Sequence, residues 1–215
     1  MFNEASVNEL RESLRGSLIE PEDKGYYDAC KVYNGMIEKH PRLIVKCSDV
    51  ADVIRCVNFA RENKILLSVK GGGHSPAGFA LCDDGLVIDL SLIRYTLVDP
   101  DAKTVVVGGG TTWGELDHAT NIFGLVTPNG VNSTTGVGGL TLGGGTGHLT
   151  RKFGLTIDNL LSIDIVLANG SFIKASSEYN QDLFWAVRGG GGNFGVVTSF
   201  TFKLHPLSEL YAGPI

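Results

Sequence analysis

The chain has 215 residues, of which 43% are hydrophobic and 19% charged, and it carries a net charge of −5. This length and composition are sufficient for a buried core in one domain or in two lobes. The acidic balance, without a basic tract, argues against a nucleic-acid partner. No apolar run approaches the roughly 20 residues of a membrane span, and the charged first residues do not resemble a secretory signal. We therefore expect a folded protein that binds neither nucleic acid nor a membrane.

The four cysteines contain no CxxC pair. This spacing gives little support to a zinc site or a redox-active dithiol, and no metal site is predicted. Reduced thiols in a cytoplasmic protein are the simpler interpretation, so a cytoplasmic location is predicted.

Residues 1–35 are predicted to form a helical lead-in, and residues 36–109 a first α/β subdomain. In chain order its predicted elements are a strand at 41–47, a helix from its cap Ser48 to about Lys64, strands at 65–70 and 85–91, and a hairpin at 95–109 that turns at 99–103. The helix has apolar residues at helical spacing, which predict its buried stripe: Val50, Val53, Ile54 and Val57. The order of elements in 41–70 predicts a βαβ unit.

Residues 110–215 are predicted to form a second α/β subdomain. Its predicted elements are a helix at 112–123, an extended segment at 124–130, a glycine-rich segment at 136–148, a hairpin at 162–176, a helix at 178–190 and a strand at 196–206. Asn169-Gly170 predicts the turn of the hairpin. Phe184, Trp185 and Val187 supply the bulky apolar groups of the second helix. Each subdomain then carries one glycine-rich loop.

The sequence VKGGGHSPAG at 69–78 is the most informative motif. Glycine is abundant in this chain, with 29 residues, about twice its average usage of about 7%. Three consecutive glycines after a predicted strand expose backbone N–H groups, which attract phosphate oxygens. His74 follows them directly and is placed to act as a nucleophile, an acid or a ligand. This motif indicates a phosphate-bearing cofactor next to an imidazole.

The segment GVGGLTLGGGTGH at 136–148 repeats the glycine pattern. Its glycines either contact a cofactor or allow tightly packed turns between the two lobes. The absence of charged residues inside the segment favours the cofactor. His148 is equally compatible with a cofactor contact and with a packed side chain.

Other nucleotide and catalytic motifs are not supported. One GxGxxG match exists, at Gly190, Gly192 and Gly195, but a predicted helix precedes it and a strand follows it. A Rossmann fingerprint requires the opposite order. The chain has no GxxxxGK[ST], HExxH or GxSxG motif.

Four motifs in order resemble the FAD-linked oxidases of the vanillyl-alcohol oxidase superfamily, particularly the berberine-bridge-enzyme-like branch. The resemblance covers nearly all of 25–206. The motifs are YNGMIEKHPRLIVKCSDVADV at 33–53, VKGGGHSPAG at 69–78, GVGGLTLGGGTGHLTRKFGLTIDN at 136–159 and RGGGGNFGVVTSFTFKLHP at 188–206. It implies a PCMH-type FAD-binding domain of the α+β or α/β class, with FAD held between two α/β subdomains.

The resemblance also implies roles for individual residues. His74 corresponds to the histidine that is bonded to the 8α-methyl carbon of the flavin. Some relatives add a thioether from a cysteine four residues before GVGG; here Asn132 occupies that position and Cys82 does not replace it, so a single covalent link is expected. The resemblance places these residues along the cofactor: Val69, Lys70, Gly71, Gly72, Gly73, His74, Ser75, Gly78, Val131, Asn132, Thr135, Gly136, Gly138, Gly139, Thr141, Gly144, Gly147, His148 and Val197.

The expected activity is hydride transfer from a small organic substrate to flavin N5, followed by reoxidation by O2 or another electron acceptor. Family members continue for about as many residues again, and that part contributes the substrate domain and the general base. We therefore expect this chain to lack a substrate domain and to contain no catalytic base of its own. The alternatives are a non-catalytic flavin-binding module that needs a partner or the second half, and a non-covalent FAD dehydrogenase or reductase.

Overall fold

The computed structural model describes residues 4–207 and 209, which form two main β-sheets with helices packed against them. The strands are β1 (Ser17–Ile19), β2 (Leu43–Lys46), β3 (Leu67–Lys70), β4 (Leu86–Asp89), β5 (Thr96–Asp99), β6 (Thr104–Gly108), β7 (Leu125–Val126), β8 (Leu160–Val166), β9 (Phe172–Ser176), β10 (Val196–Lys203) and β11 (His205–Pro206). The α-helices are α1 (Glu4–Ser13), α2 (Tyr26–Ala29), α3 (Val50–Asn63), α4 (Trp113–Asn121), α5 (Val137–Leu142), α6 (Thr150–Phe153) and α7 (Gln181–Gly190). Two short 3-10 helices span Thr156–Asn159 and Gly191–Phe194.

The first sheet has the strand order β1-β2-β4-β3. Strand β4 is parallel to both β2 and β3, and β1 adds an antiparallel edge. The predicted strands at 41–47 and 65–70 are therefore parallel and joined by a helix, but β4 lies between them. β2 and β4 are almost entirely apolar because both faces of a parallel sheet are covered. The predicted helical lead-in also differs from the structure, because it contributes β1 to this sheet.

Helix α3 is capped by Asp49 and not by Ser48 as predicted. The Asp49 side chain accepts a hydrogen bond from the backbone N–H of Asp52 at 3.1 Å. Within the predicted stripe Val53 and Val57 are buried, whereas Val50 and Ile54 are partly buried against the same core. The helix ends at Lys64, which adopts the left-handed conformation with φ 55°.

The second sheet is antiparallel in the order β5-β6-β10-β8-β9. The hairpin β5–β6 pairs here through β6 and β10, so the range 36–109 contributes strands to both sheets. Val166 and Val196 of the second sheet also pack in the core of the first. The two sheets are therefore joined by a continuous apolar contact. One glycine-rich loop follows β3 of the first sheet, and the other precedes β8 of the second.

Two further elements differ from the sequence predictions. Residues 137–142 form helix α5 inside the glycine-rich segment, where no helix was predicted. Trp185, expected to supply apolar packing to its helix, is 75% exposed, while Phe184 and Val187 are buried. No helix in the part of the chain described here is long and apolar enough to cross a membrane.

Candidate functional site

The two glycine-rich loops contact each other directly through their backbones. A Cβ atom added to Gly72 would lie 2.2 Å from the Gly136 nitrogen, and one added to Gly136 would lie 2.3 Å from the Gly72 nitrogen. Neither position tolerates a side chain unless the loops separate. The contact joins the loop after β3 to the segment that leads into α5, which fixes His74 against residues 132–135.

His74 lies between two threonine hydroxyls and an aromatic ring. Its Nε2 is 2.9 Å from Thr134 Oγ1, and its Nδ1 is 3.4 Å from Thr135 Oγ1. The Tyr33 ring stacks on the imidazole with the ring centroids 4.2 Å apart and the planes 18° apart. The Tyr33 backbone N–H also donates to the Gly73 carbonyl at 3.0 Å. The histidine is thus held on one face and at both nitrogens.

Partial burial lowers the pKa of His74 from its usual value of 6.5, and a main-chain acceptor at Thr134 opposes this shift. The neutral imidazole is therefore the main form at neutral pH. A neutral imidazole has one nitrogen with a free electron pair, which is the form that a nucleophile requires.

The Lys70 side chain is directed away from this loop contact. Its Nζ donates to the Ala29 carbonyl at 2.7 Å and lies 3.8 Å from Asp89 Oδ2. The ammonium group is thus occupied at the end of α2. The aliphatic part of the side chain passes Gly73, where an added Cβ would lie 3.6 Å from Lys70 Cε, and the Lys70 carbonyl accepts from the Leu90 N–H at 2.9 Å.

Part of the second glycine-rich segment presents open backbone. A Cβ added to Gly139 or Gly144 would meet no described atom within 4 Å. Helix α5 packs against α7 and against the 3-10 helix at Gly191–Phe194. That neighbouring run adds further open positions: Gly189, Gly191 and Gly192. We call these five glycines the open glycine surface.

Several predicted site residues are instead engaged in packing. The Thr141 hydroxyl is buried and donates to the Val137 carbonyl at 2.7 Å. Val197 is 5% exposed in the second core. A Cβ on Gly147 would lie 1.7 Å from the Asn129 carbonyl oxygen, and one on Gly78 would contact Ile37. The explanation by tight packing thus applies to Gly147, whereas contact of the segment with a cofactor stays a prediction.

The remaining predicted positions surround His74 or lie further along the loops. Ser75 organises the turn after the histidine, because its Oγ accepts from the Phe79 N–H at 3.2 Å. Gly73 needs its left-handed φ of 69° to bring His74 into place. Val131 and His148 are exposed, while Val69, Gly71, Asn132 and Gly138 are partly buried.

Sequence reasoning missed Tyr33, Thr134 and the open glycines of the run at 189–192 as site residues. Tyr33 and the glycine run belong to motifs that the sequence analysis identifies, but the sequence does not show that they lie close to His74 or to helix α5.

Together, the glycine backbone and a neutral imidazole fit a ligand that combines an anionic diphosphate with a reactive ring. None of the predicted site residues carries a carboxylate that would repel the diphosphate.

A second histidine joins the chain's last described strand to the helices before β8. His205 Nε2 is 2.6 Å from Asn159 Oδ1, while the Asn159 amide donates to the carbonyls of Phe153 and Leu155. The His205 ring stacks on Phe153 at 4.3 Å. Burial, assisted by the positive charge of Lys203, lowers the pKa of His205 below its usual 6.5.

We expect the free energy of unfolding to fall as the pH is lowered below about 6.5. The native state binds protons less readily than the unfolded chain at His205 and His74, so acid favours unfolding. Chemical denaturation at pH 7.5 and 5.0 measures the difference. His205→Gln, which retains a donor for Asn159 but does not titrate, should reduce it; an unchanged difference would contradict the assignment to His205.

Among the described residues, no group of three or more His, Cys, Asp or Glu side chains is arranged to hold a metal ion. The four cysteines are free.

Comparisons with known proteins agree with this geometry. A family model described as an FAD binding domain matches residues 41–176. An FAD-linked oxidoreductase of Dictyostelium discoideum is 44% identical over 209 residues, covering 96% of this chain and 46% of the relative. The crystal structure of 6-hydroxy-D-nicotine oxidase from Arthrobacter nicotinovorans has a TM-score of 0.88 at 39% identity, covering 90% of this chain and 43% of that one. A BBE-like protein of Physcomitrella patens has a TM-score of 0.89 at 33% identity, covering 93% and 44%. This chain therefore spans less than half the length of these relatives.

Proposed function

Because this chain belongs to the FAD-binding domain family, within the FAD-linked oxidases of the vanillyl-alcohol oxidase superfamily, we propose that it is the FAD-binding half of an oxidoreductase. The activity we propose is acceptance of a hydride from an organic substrate. The observation that carries the proposal is the neutral His74 imidazole held at the contact between the two glycine loops.

The residues of this chain bind and orient the cofactor. We assign the diphosphate to free main-chain N–H groups of the loop after β3 and of the open glycine surface. The Gly144 N–H is not among them, because it donates to the Thr141 carbonyl at 2.9 Å. Tyr33 shields one face of His74 from water, and the threonines hold the edge of the imidazole. When bound, FAD supplies the hydride-accepting atom N5.

We further propose that His74 is bonded covalently to the 8α-methyl carbon of the flavin. In forming this bond His74 replaces one hydrogen of the methyl group. Attachment would release one proton from the methyl group and one from the imidazole. The electron pair of the broken C–H bond would pass to the flavin, and O2 or another oxidant would then have to remove these two electrons. The covalent link would prevent loss of the cofactor, and Asn132 provides no thiol for a second link.

The proposed substrate is a small organic molecule with an oxidisable alcohol, sugar, amine or phenolic carbon. We assign the substrate domain and the general base to a further part of the enzyme. No residue of this chain is proposed as the base. The four free cysteines suit a reducing compartment, and we propose a cytoplasmic location on that basis.

The test is retention of flavin after acid precipitation. We expect the purified chain, incubated with FAD and air, to give a yellow fluorescent pellet and an intact mass increased by one FAD. His74→Ala should abolish the adduct, whereas His40→Ala, at an exposed histidine outside the site, should retain it. An adduct that survives in His74→Ala would overturn the covalent assignment. FAD titration of the same variants measures non-covalent binding separately.

A further inference from the structure

Asn132 and Thr134 form a short hydrogen-bonded unit next to His74. The Thr134 backbone N–H donates to Asn132 Oδ1 at 3.0 Å. An N–H can only donate, so the amide of Asn132 must present its oxygen here. The Thr134 hydroxyl lies 2.8 Å from the same oxygen and donates to it. The direction of the hydroxyl proton is thus set by the backbone.

The direction of that proton decides the tautomer of the histidine. A hydroxyl has a single proton, and that of Thr134 points to Asn132, so the hydroxyl can only accept from His74. The 2.9 Å contact to Nε2 therefore requires the imidazole proton to be on Nε2. Nδ1 then carries the free electron pair.

The opposite tautomer makes poorer contacts. The Thr134 hydroxyl would have to turn from Asn132 to Nε2, and Asn132 Oδ1 would lose one of its two donors. The Nδ1 proton would have Thr135 Oγ1 at 3.4 Å as its side-chain acceptor, which is at the limit for a hydrogen bond. The arrangement with the proton on Nε2 keeps both shorter contacts, at 2.9 Å from Nε2 to Thr134 Oγ1 and at 2.8 Å from Thr134 Oγ1 to Asn132 Oδ1.

We propose that Thr134 and Asn132 are positioning residues that hold His74 with its proton on Nε2 and present Nδ1 as the nucleophile. This inference rests on the proposed function, because it selects the nitrogen that would bond to the flavin. Asn132 then has a role other than the second covalent link that a cysteine would provide at this position. It acts on His74 through the Thr134 hydroxyl.

The tautomer can be measured without flavin. In the apoprotein labelled with ¹⁵N-histidine, the nitrogen shifts at pH 7.5 distinguish the protonated nitrogen from the one with the free pair. We expect the proton on Nε2 in the wild-type chain and in Thr134→Ser, which keeps the hydroxyl. Thr134→Val removes the acceptor, so it should give a mixture of tautomers. Asn132→Ala frees the Thr134 hydroxyl to donate to Nε2. The fraction of the tautomer with its proton on Nδ1 should therefore be higher than in Thr134→Val.

The rate of flavin attachment gives a second measurement. Loss of one hydrogen bond of ordinary strength should slow acid-stable flavin incorporation about tenfold in Thr134→Val, with recovery in Thr134→Ser. Thr135→Val is the matched control, because its hydroxyl lies at the longer distance, and a smaller effect is expected. The proposal is overturned if Thr134→Val keeps the wild-type tautomer, or if it incorporates flavin at the wild-type rate.

The two measurements separate this inference from the proposed function. If the nitrogen shifts behave as expected but no variant, including the wild type, retains flavin in acid, the covalent function fails and the positioning role stands. If the wild type retains flavin through His74 but its apoprotein carries the proton on Nδ1, the function stands and the positioning role fails.

Discussion

Replacing Asp52 with alanine is expected to lower the free energy of unfolding by about 4 kcal/mol, roughly 10 °C in melting temperature for a chain of this size. The Asp52 side chain is fully buried in the first turn of α3. Its two oxygens accept from the backbone N–H groups of Arg15, Gly16 and Ser48 at 2.9 Å each. Truncation leaves these three donors without their acceptor and opens a polar cavity.

Asp49→Ala is the matched control for this effect. Asp49 is three residues away on the same helix end, and its side chain accepts one backbone N–H, from Asp52. Its exposed ion pair with Arg15 adds little. Loss of this cap should therefore lower the free energy of unfolding by about 1 kcal/mol. Urea denaturation of both variants decides the matter: equal losses would contradict the role we assign to the Asp52 carboxylate.

Asp52 also shows which parts of the fold were predictable. Helix α3 and the hairpins at 96–108 and 160–176 were predicted from residues close in sequence, through apolar spacing and turn residues. The carboxylate of Asp52, by contrast, accepts hydrogen bonds from Arg15 and Gly16, which lie 37 and 36 positions away in the sequence. The insertion of β4 between β2 and β3 is likewise a long-range pairing that local periodicity does not contain.

Helix α5 was missed for a related reason. Its sequence VGGLTL has two glycines, which disfavour a helix by about 1 kcal/mol each relative to alanine. Tertiary contacts compensate, because α5 packs against α7 and the Val137 N–H donates to the Thr111 carbonyl at 2.9 Å. The same limit applies to the site. His74 and the glycine motifs were recognisable, but Thr134 is 60 residues from His74 and only the fold brings them together.

Gly136→Ala is expected to lower the free energy of unfolding by about 3 kcal/mol and to weaken FAD binding at least tenfold. Gly136 has φ −69° and ψ 140°, which alanine adopts without strain. The cost is therefore steric, because the new methyl group would lie 2.3 Å from the Gly72 nitrogen and 2.9 Å from its Cα. Backbone cannot rotate away as a side chain can, so the loops must separate and carry His74 away from Thr134.

Gly139→Ala separates packing from cofactor binding in the same segment. Its methyl group would meet no described atom within 4 Å, and alanine favours the helix, so stability should rise by about 0.5–1 kcal/mol. If the diphosphate lies on the open glycine surface, FAD affinity should nevertheless fall. Denaturation and FAD titration of the two variants together test this: Gly136→Ala should lose in both measurements, and Gly139→Ala only in the titration. Because Gly139→Ala should not destabilise the fold, its effect on FAD affinity reports directly on the position of the cofactor. Unchanged affinity would therefore show that the diphosphate does not lie on the open glycine surface.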